Sequence, residues 1–131
     1  MPREIDSSRV LCSLAELGQQ GCRGFTVGEG DWPLKGLVLR LPDGELRAYL
    51  NWCPHQGHPL NLRPHGFLTR DGGLLMCHSH GAVFERDKGR CLWGPCVGKH
   101  LVAVPIELTN GYVLLSQEAN ISALAASIER S

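Results

Sequence analysis

An all-β sandwich or barrel is the fold this sequence predicts, and three observations carry it. Short apolar runs recur along the chain, several with the two-residue alternation of a strand. Turn signals separate them: Pro42-Asp43-Gly44-Glu45, Asp71-Gly72-Gly73, Asp87-Lys88-Gly89 and Thr109-Asn110-Gly111. No internal repeat, Gly-rich phosphate loop or linker-like tract interrupts the series. A chain of 131 residues suits one domain, 1–131, with a modest core.

In order along the chain, Val10 to Leu14 reads as an opening strand. Ser13 and Glu16 have capping-box spacing, so a turn of helix follows through Leu17, and Gly18 stops it. Cys22 to Val27 is a second strand with Phe25 and Val27 on one face. Leu37 to Leu41 alternates, with Leu37, Leu39 and Leu41 on one side and Val38 and Arg40 on the other. The turn at 42–45 returns the chain as a strand from Leu46 to Trp52, Tyr49 on a packing face. The stretch from Asn61 to Thr69 reads as irregular around Pro64-His65-Gly66. Leu74 to Met76 and Ala82 to Glu85 are short strands. Leu101 to Ile106 is expected as a strand, with Pro105 near an edge or end. Thr109-Asn110-Gly111 then turns a hairpin into Tyr112 to Leu115. Ile121, Leu124, Ala125 and Ile128 recur at helical spacing, which predicts a short helix at about 120–130, its stripe against its own domain.

Composition narrows the function classes. Lys plus Arg and Asp plus Glu are both 13, so no dominant basic surface exists for nucleic acid or an anionic membrane. No apolar run approaches the ~20 residues that span a bilayer. No apolar segment of signal-peptide type follows Met1-Pro2-Arg3, so the cytoplasm is the expected location. Oligomeric state is left open. The six Cys are not spaced as a secreted disulfide framework. Cys12, Cys22, Cys91 and Cys96 read as buried small hydrophobes, the last two close behind the second motif described next.

The chemistry sits in two windows within about 52–96. The first reads Cys53-Pro54-His55-Gln56-Gly57-His58-Pro59-Leu60 and the second Cys77-His78-Ser79-His80-Gly81-Ala82-Val83-Phe84. Each offers a thiol and an imidazole, and 21 residues separate His55 from Cys77. Two sulfur and two nitrogen donors suit tetrahedral zinc. They also suit a [2Fe–2S] cluster with two Cys on one iron and two His on the other. The residues around them favour the cluster.

At these windows the chain resembles the Rieske iron–sulfur family, and the resemblance runs over nearly its whole length. It implies an incomplete β-barrel or sandwich carrying a small cluster-binding subdomain. It makes Cys53, His55, Cys77 and His80 the ligands of one [2Fe–2S] cluster per chain, with a Pro-containing third loop, here Gly94-Pro95-Cys96, over them. It further implies that the outer imidazole edges of His55 and His80 are the electron exit, and that reduction takes up protons at alkaline pH. Neutral imidazoles in place of two thiolates leave the oxidised centre with two fewer negative charges, which raises its potential over an all-Cys site.

Supporting residues follow. Gly57, Gly81 and Gly94 let backbone approach the sulfides, Pro54 and Pro59 stiffen the first loop, and Leu60 and Phe84 are apolar cover. Trp52 and Trp93 either limit water access or belong to the core; His58 and His78 are near enough to tune the site, and His65 is set apart. The family's cytochrome bc type carries a disulfide between the windows and a Ser after the second-loop Gly. Here His58, Ser79 and Ala82 occupy those positions, which points to a lower potential and an oxygenase-associated soluble type. The long spacer, and His78 where Pro is common, are departures.

The functional expectation is a soluble one-electron carrier between a reductase and an oxygenase or similar oxidoreductase, with no substrate-transforming site of its own. The alternatives are a small redox subunit of a larger oxidoreductase and a zinc-binding structural adaptor. A full oxygenase is not expected, since its mononuclear iron domain has no room after Leu115.

Overall fold

The computed structural model describes residues 9–18, 21–27, 34–52, 60, 67–69, 73–77, 81–94 and 97–116. Their elements are β1 (Val10–Ser13), α1 (Leu14–Leu17), β2 (Cys22–Val27), β3 (Leu34–Arg40), β4 (Leu46–Leu50), β5 (Leu75–Met76), β6 (Val83–Phe84), β7 (Cys91–Trp93), β8 (Ile106–Thr109) and β9 (Tyr112–Leu115). They form three antiparallel sheets in the orders β1-β9-β8, β2-β3-β4 and β5-β6-β7, and among the described residues no barrel closes. The all-β expectation holds. The 120–130 helix lies outside the described residues.

Alternation on the middle sheet explains how the layers stack. Leu37 and Leu39 point into one apolar cluster together with Cys22 and Tyr49. Val38, Phe25, Val27, Ala48 and Leu50 point into the other. Leu37, Val38 and Leu39 are all fully buried, so β3 is covered on both faces. The first cluster carries the residues of β5-β6-β7, including Leu75, Phe84 and Cys91; the second carries Leu11, Val113 and Leu115 from β1 and β9. The middle sheet is thus a plate between two smaller ones.

Local chemistry sets the connections. Ser13 Oγ accepts the Glu16 N–H at 3.2 Å and Glu16 Oε1 accepts the Ser13 N–H at 2.9 Å, which completes the capping box. The β3–β4 turn is closed by the Gly44 N–H to the Leu41 carbonyl and by the Glu45 N–H to Asp43 Oδ1. Asn110 and Gly111 both take positive φ, 51° and 82°, as a two-residue hairpin with the strands' twist requires.

Besides β7, which the sequence reading did not expect, two elements depart from it. Residues 101–106 do not form a strand before Ile106. They run beside β4 instead, through the Leu50 N–H to Val102 O, the Val104 N–H to Ala48 O and the isolated bridge Tyr49–Ala103. Pro105 has no N–H to extend that ladder, and β8 starts at the next residue. At the end of the stretch read as irregular, residues 67–69 pair with β5: the Met76 N–H donates to Phe67 O, and the Thr69 N–H to Leu74 O.

Candidate metal centre

The second window leaves β5 at Cys77 and re-enters the sheet at β6. Two backbone bonds pin its neck: the Cys77 N–H donates to Ala82 O and the Gly81 N–H to Cys77 O, both at 2.8 Å. Gly81 has φ 75°, the left-handed conformation that lets so short a loop turn back. Cys77 and Ala82 are fully buried, in one apolar cluster with Leu60 and Phe84. Leu60 and Phe84, the two residues expected as apolar cover, are thus buried in the same cluster as Cys77.

The first window leaves β4 through Asn51 and Trp52. Asn51 Oδ1 accepts the Leu60 N–H at 2.6 Å, and the Asn51 N–H donates to Lys35 O at 2.9 Å. The Asn51 side chain thus ties the two ends of the first loop together, and its backbone N–H fastens them to β3. Sequence reasoning missed Asn51; the available signal was an amide side chain at a strand end, directly before the Trp-Cys pair. Asn51→Leu removes an acceptor worth about 1–3 kcal/mol to a buried amide. It is expected to lower the iron retained per chain under chelator challenge, whereas Asn51→Asp, which keeps the acceptor, retains it.

The third loop begins at Gly94, with φ 113°. A Cβ there would stand 2.8 Å from Ala82 Cα and 3.2 Å from Ala82 Cβ, so only glycine lets this loop lie on the second one. Gly94 therefore lies against Ala82 of the second window, while Pro95 and Cys96 of the expected third loop lie outside the described residues. Trp93 is not core: it is 66% exposed, while Trp52 is half-buried against the second apolar cluster.

Of the four expected ligands, Cys77 is described; Cys53, His55 and His80 lie outside the described residues, as do Gly57, Pro54, Pro59, His58, His65, His78 and Cys96. Among the described residues no group of three or more His, Cys, Asp or Glu converges as a metal site. What is described fits a cluster. A fully buried Cys sits at the mouth of a pinned loop, its carbonyl accepting the Gly81 N–H. The other described thiols differ. Burial pushes the Cys12 thiol up to about 11 and the Cys22 thiol up to about 12, so both stay neutral at pH 7 and serve as apolar packing. Cys91 is buried and its thiol donates to the Trp93 carbonyl at 3.4 Å.

Comparison with known proteins decides the family. The model of the Rieske [2Fe-2S] domain matches residues 7–114. The chain belongs to the Rieske family. Its domains hold one [2Fe–2S] cluster each, which assigns that cofactor here. The hydroxylase alpha subunit of methanesulfonate monooxygenase from Methylosulfonomonas methylovora is 37% identical over 62 residues, 44% of this Rieske chain and 15% of that protein. The ferredoxin of Sphingomonas yanoikuyae B1 superposes with a TM-score of 0.58 at 24% identity, covering 82% of this chain and 96% of the ferredoxin. Naphthalene 1,2-dioxygenase gives a TM-score of 0.63 at 25% identity, covering 86% of this chain and 26% of the dioxygenase. The Rieske chain spans about 15% of the length of the curated relatives it matches.

Proposed function

We propose that this Rieske chain is a one-electron carrier, a single domain over 1–131, in which Cys53, His55, Cys77 and His80 hold the cluster. The observation that carries the reading is Cys77, fully buried at the pinned neck of the second window, in a chain matched to the Rieske domain over residues 7–114. When bound, the cluster supplies one-electron exchange at a potential raised by its two neutral ligands. The chain contributes rigidity: Asn51, the Cys77–Ala82 backbone pair and Gly94 fix the loops on the plate below, so little rearranges when charge changes.

The partners proposed are a flavoprotein reductase as donor and an oxygenase or related oxidoreductase as acceptor. The matched methanesulfonate monooxygenase subunit and chloroacetanilide N-alkylformylase oxygenase component support the acceptor class. No helix among the described residues is long and apolar enough to cross a membrane, and a cytoplasmic location is proposed with the carrier role. A second reading, the redox part of a larger oxidoreductase, is favoured by the length of those relatives. Purified protein that stays monomeric and accepts electrons from a reductase supports the carrier; obligate co-purification with a catalytic subunit supports the other.

The deciding analysis is composition: two irons and two acid-labile sulfides per chain are expected, and one zinc without sulfide overturns the reading. Protein-film voltammetry at neutral pH is expected to place the midpoint in the lower part of the Rieske range of roughly −150 to +300 mV. Ala82 presents a buried methyl packed on Gly94 where a hydroxyl would stabilise the reduced centre. A midpoint near the upper end would defeat that argument.

A further inference from the structure

The β6–β7 pairing contains an irregularity with a consequence for the surface. One step along β6, from Phe84 to Val83, is matched by two along β7, from Cys91 to Trp93. A bulge of this kind re-aims a side chain. Cys91 stays in the core opposite Phe84, while Trp93 turns outward opposite Val83 and is 66% exposed. Its ring lies over the second window: a Cβ on Gly81 would be 3.6 Å from Trp93 Cζ3. Leu92 is 42% and Val97 64% exposed. The antiparallel register that sets Arg90 opposite His100 and the Cys91 N–H on Lys99 O carries Val97 back towards Trp93. Three large apolar side chains thus stand in solvent, with Trp93 against Gly81 of the second window.

The stretch that carries them is net positive. Residues 81–100 hold Arg86, Lys88, Arg90 and Lys99 against Glu85 and Asp87, in a chain whose formal charge is zero. Lys88, Lys99 and His100 are exposed, as is Asp87, and the Glu85 carboxylate is engaged by Arg90 at 2.7 Å. We propose that Leu92, Trp93 and Val97, fringed by Lys99 and His100, form the docking surface for an acidic one-electron redox protein. The inference rests on the carrier reading and names the chemistry of its partner. An exposed indole ringed by apolar neighbours is the kind of anchor that dominates an interface, and the basic fringe steers an acidic partner onto it. A second copy of this chain fits poorly, because a two-fold contact centred here would bring two Lys99 ammonium groups to one interface.

The test uses holoprotein and flavodoxin, an acidic flavoprotein whose reduced flavin gives up one electron as the ferric centre takes it up. Stopped-flow bleaching of the cluster absorption gives the second-order rate constant. It is expected to fall with ionic strength, about tenfold in Trp93→Ala and severalfold in Lys99→Glu. EPR spectrum, midpoint potential and the rate of reduction by dithionite are expected to stay unchanged in both variants. Lys99→Glu alters an exposed side chain, so it remains informative if Trp93→Ala fails to fold. Unchanged flavodoxin rates in the variants, or a wild-type rate that rises with salt, would overturn the proposal. So would a dimer in sedimentation that Trp93→Ala dissolves, which would assign the face to a second copy. Wild-type protein with neither iron nor sulfide would overturn the carrier reading itself, and the docking surface with it.

Discussion

Cys77→Ser is expected to yield folded protein without the visible and EPR spectra of the cluster. The side chain is fully buried at the end of β5, in one apolar cluster with Leu60 and Phe84, and its backbone N–H is held by the Ala82 carbonyl. A hydroxyl of nearly equal volume fits that space, so the fold survives. It does not ionise near neutral pH as a thiol does, and it is a harder donor than iron–sulfur chemistry selects. Cys22 provides the discriminating control because it lies in the same apolar cluster. Its thiol, pushed up to about 12 by burial, is neutral packing, and Cys22→Ala is expected to keep the spectra while losing some stability. Cys12→Ala and Cys91→Ser belong with it. Visible absorption, EPR and iron content of the purified variants check the set; a lost spectrum in Cys91→Ser would move the third loop's flank into the centre.

That contrast shows what a sequence can and cannot display. Residue types at fixed spacing were legible: the paired Cys/His windows, the capping box at Ser13 and Glu16, and the Asn110-Gly111 hairpin each act through local geometry. Strand alternation was legible too, since Leu37 and Leu39 separate from Val38 as the periodicity predicts. That both sides of β3 are buried was not, because it depends on which sheets arrive on each face. β7 escaped notice for a related reason. Cys91-Leu92-Trp93 has no alternation to read, and the bulge that splits its faces exists only against β6. Residues 101–106 alternate like a strand yet are held beside β4 by scattered bonds and one bridge. Asn51 joins residues nine apart through one side-chain bond, which no periodicity records.

The plate under the site makes its own prediction, with the largest expected loss of stability. Gly36 lies in β3 between the Phe25 ring and the β4 backbone, and a Cβ there would come within 2.6 Å of the Tyr49 carbonyl oxygen and also enter the Phe25 ring. Neither neighbour yields easily. Phe25 is locked in the second apolar cluster, and the Tyr49 backbone is in the ladder, its hydroxyl donating to Arg86 O at 2.9 Å. Gly36→Val is therefore expected to cost roughly 3 kcal/mol. That is a large part of the ~5–15 kcal/mol a domain of this kind has. Thermal unfolding is expected about 10 °C lower. The damage also travels to the site, because Gly36 pairs with Leu50 and the neighbouring Lys35 carbonyl accepts the Asn51 N–H. Pushing β3 from β4 displaces Asn51, whose side chain holds the first window closed at Leu60. Calorimetry and iron retention should fall together in Gly36→Val, whereas Gly44→Ala, at a turn with open space around it, should lower stability slightly and leave iron content intact. Iron retained at the wild-type level in a destabilised Gly36→Val would show that the first window is held by contacts other than this strand pair.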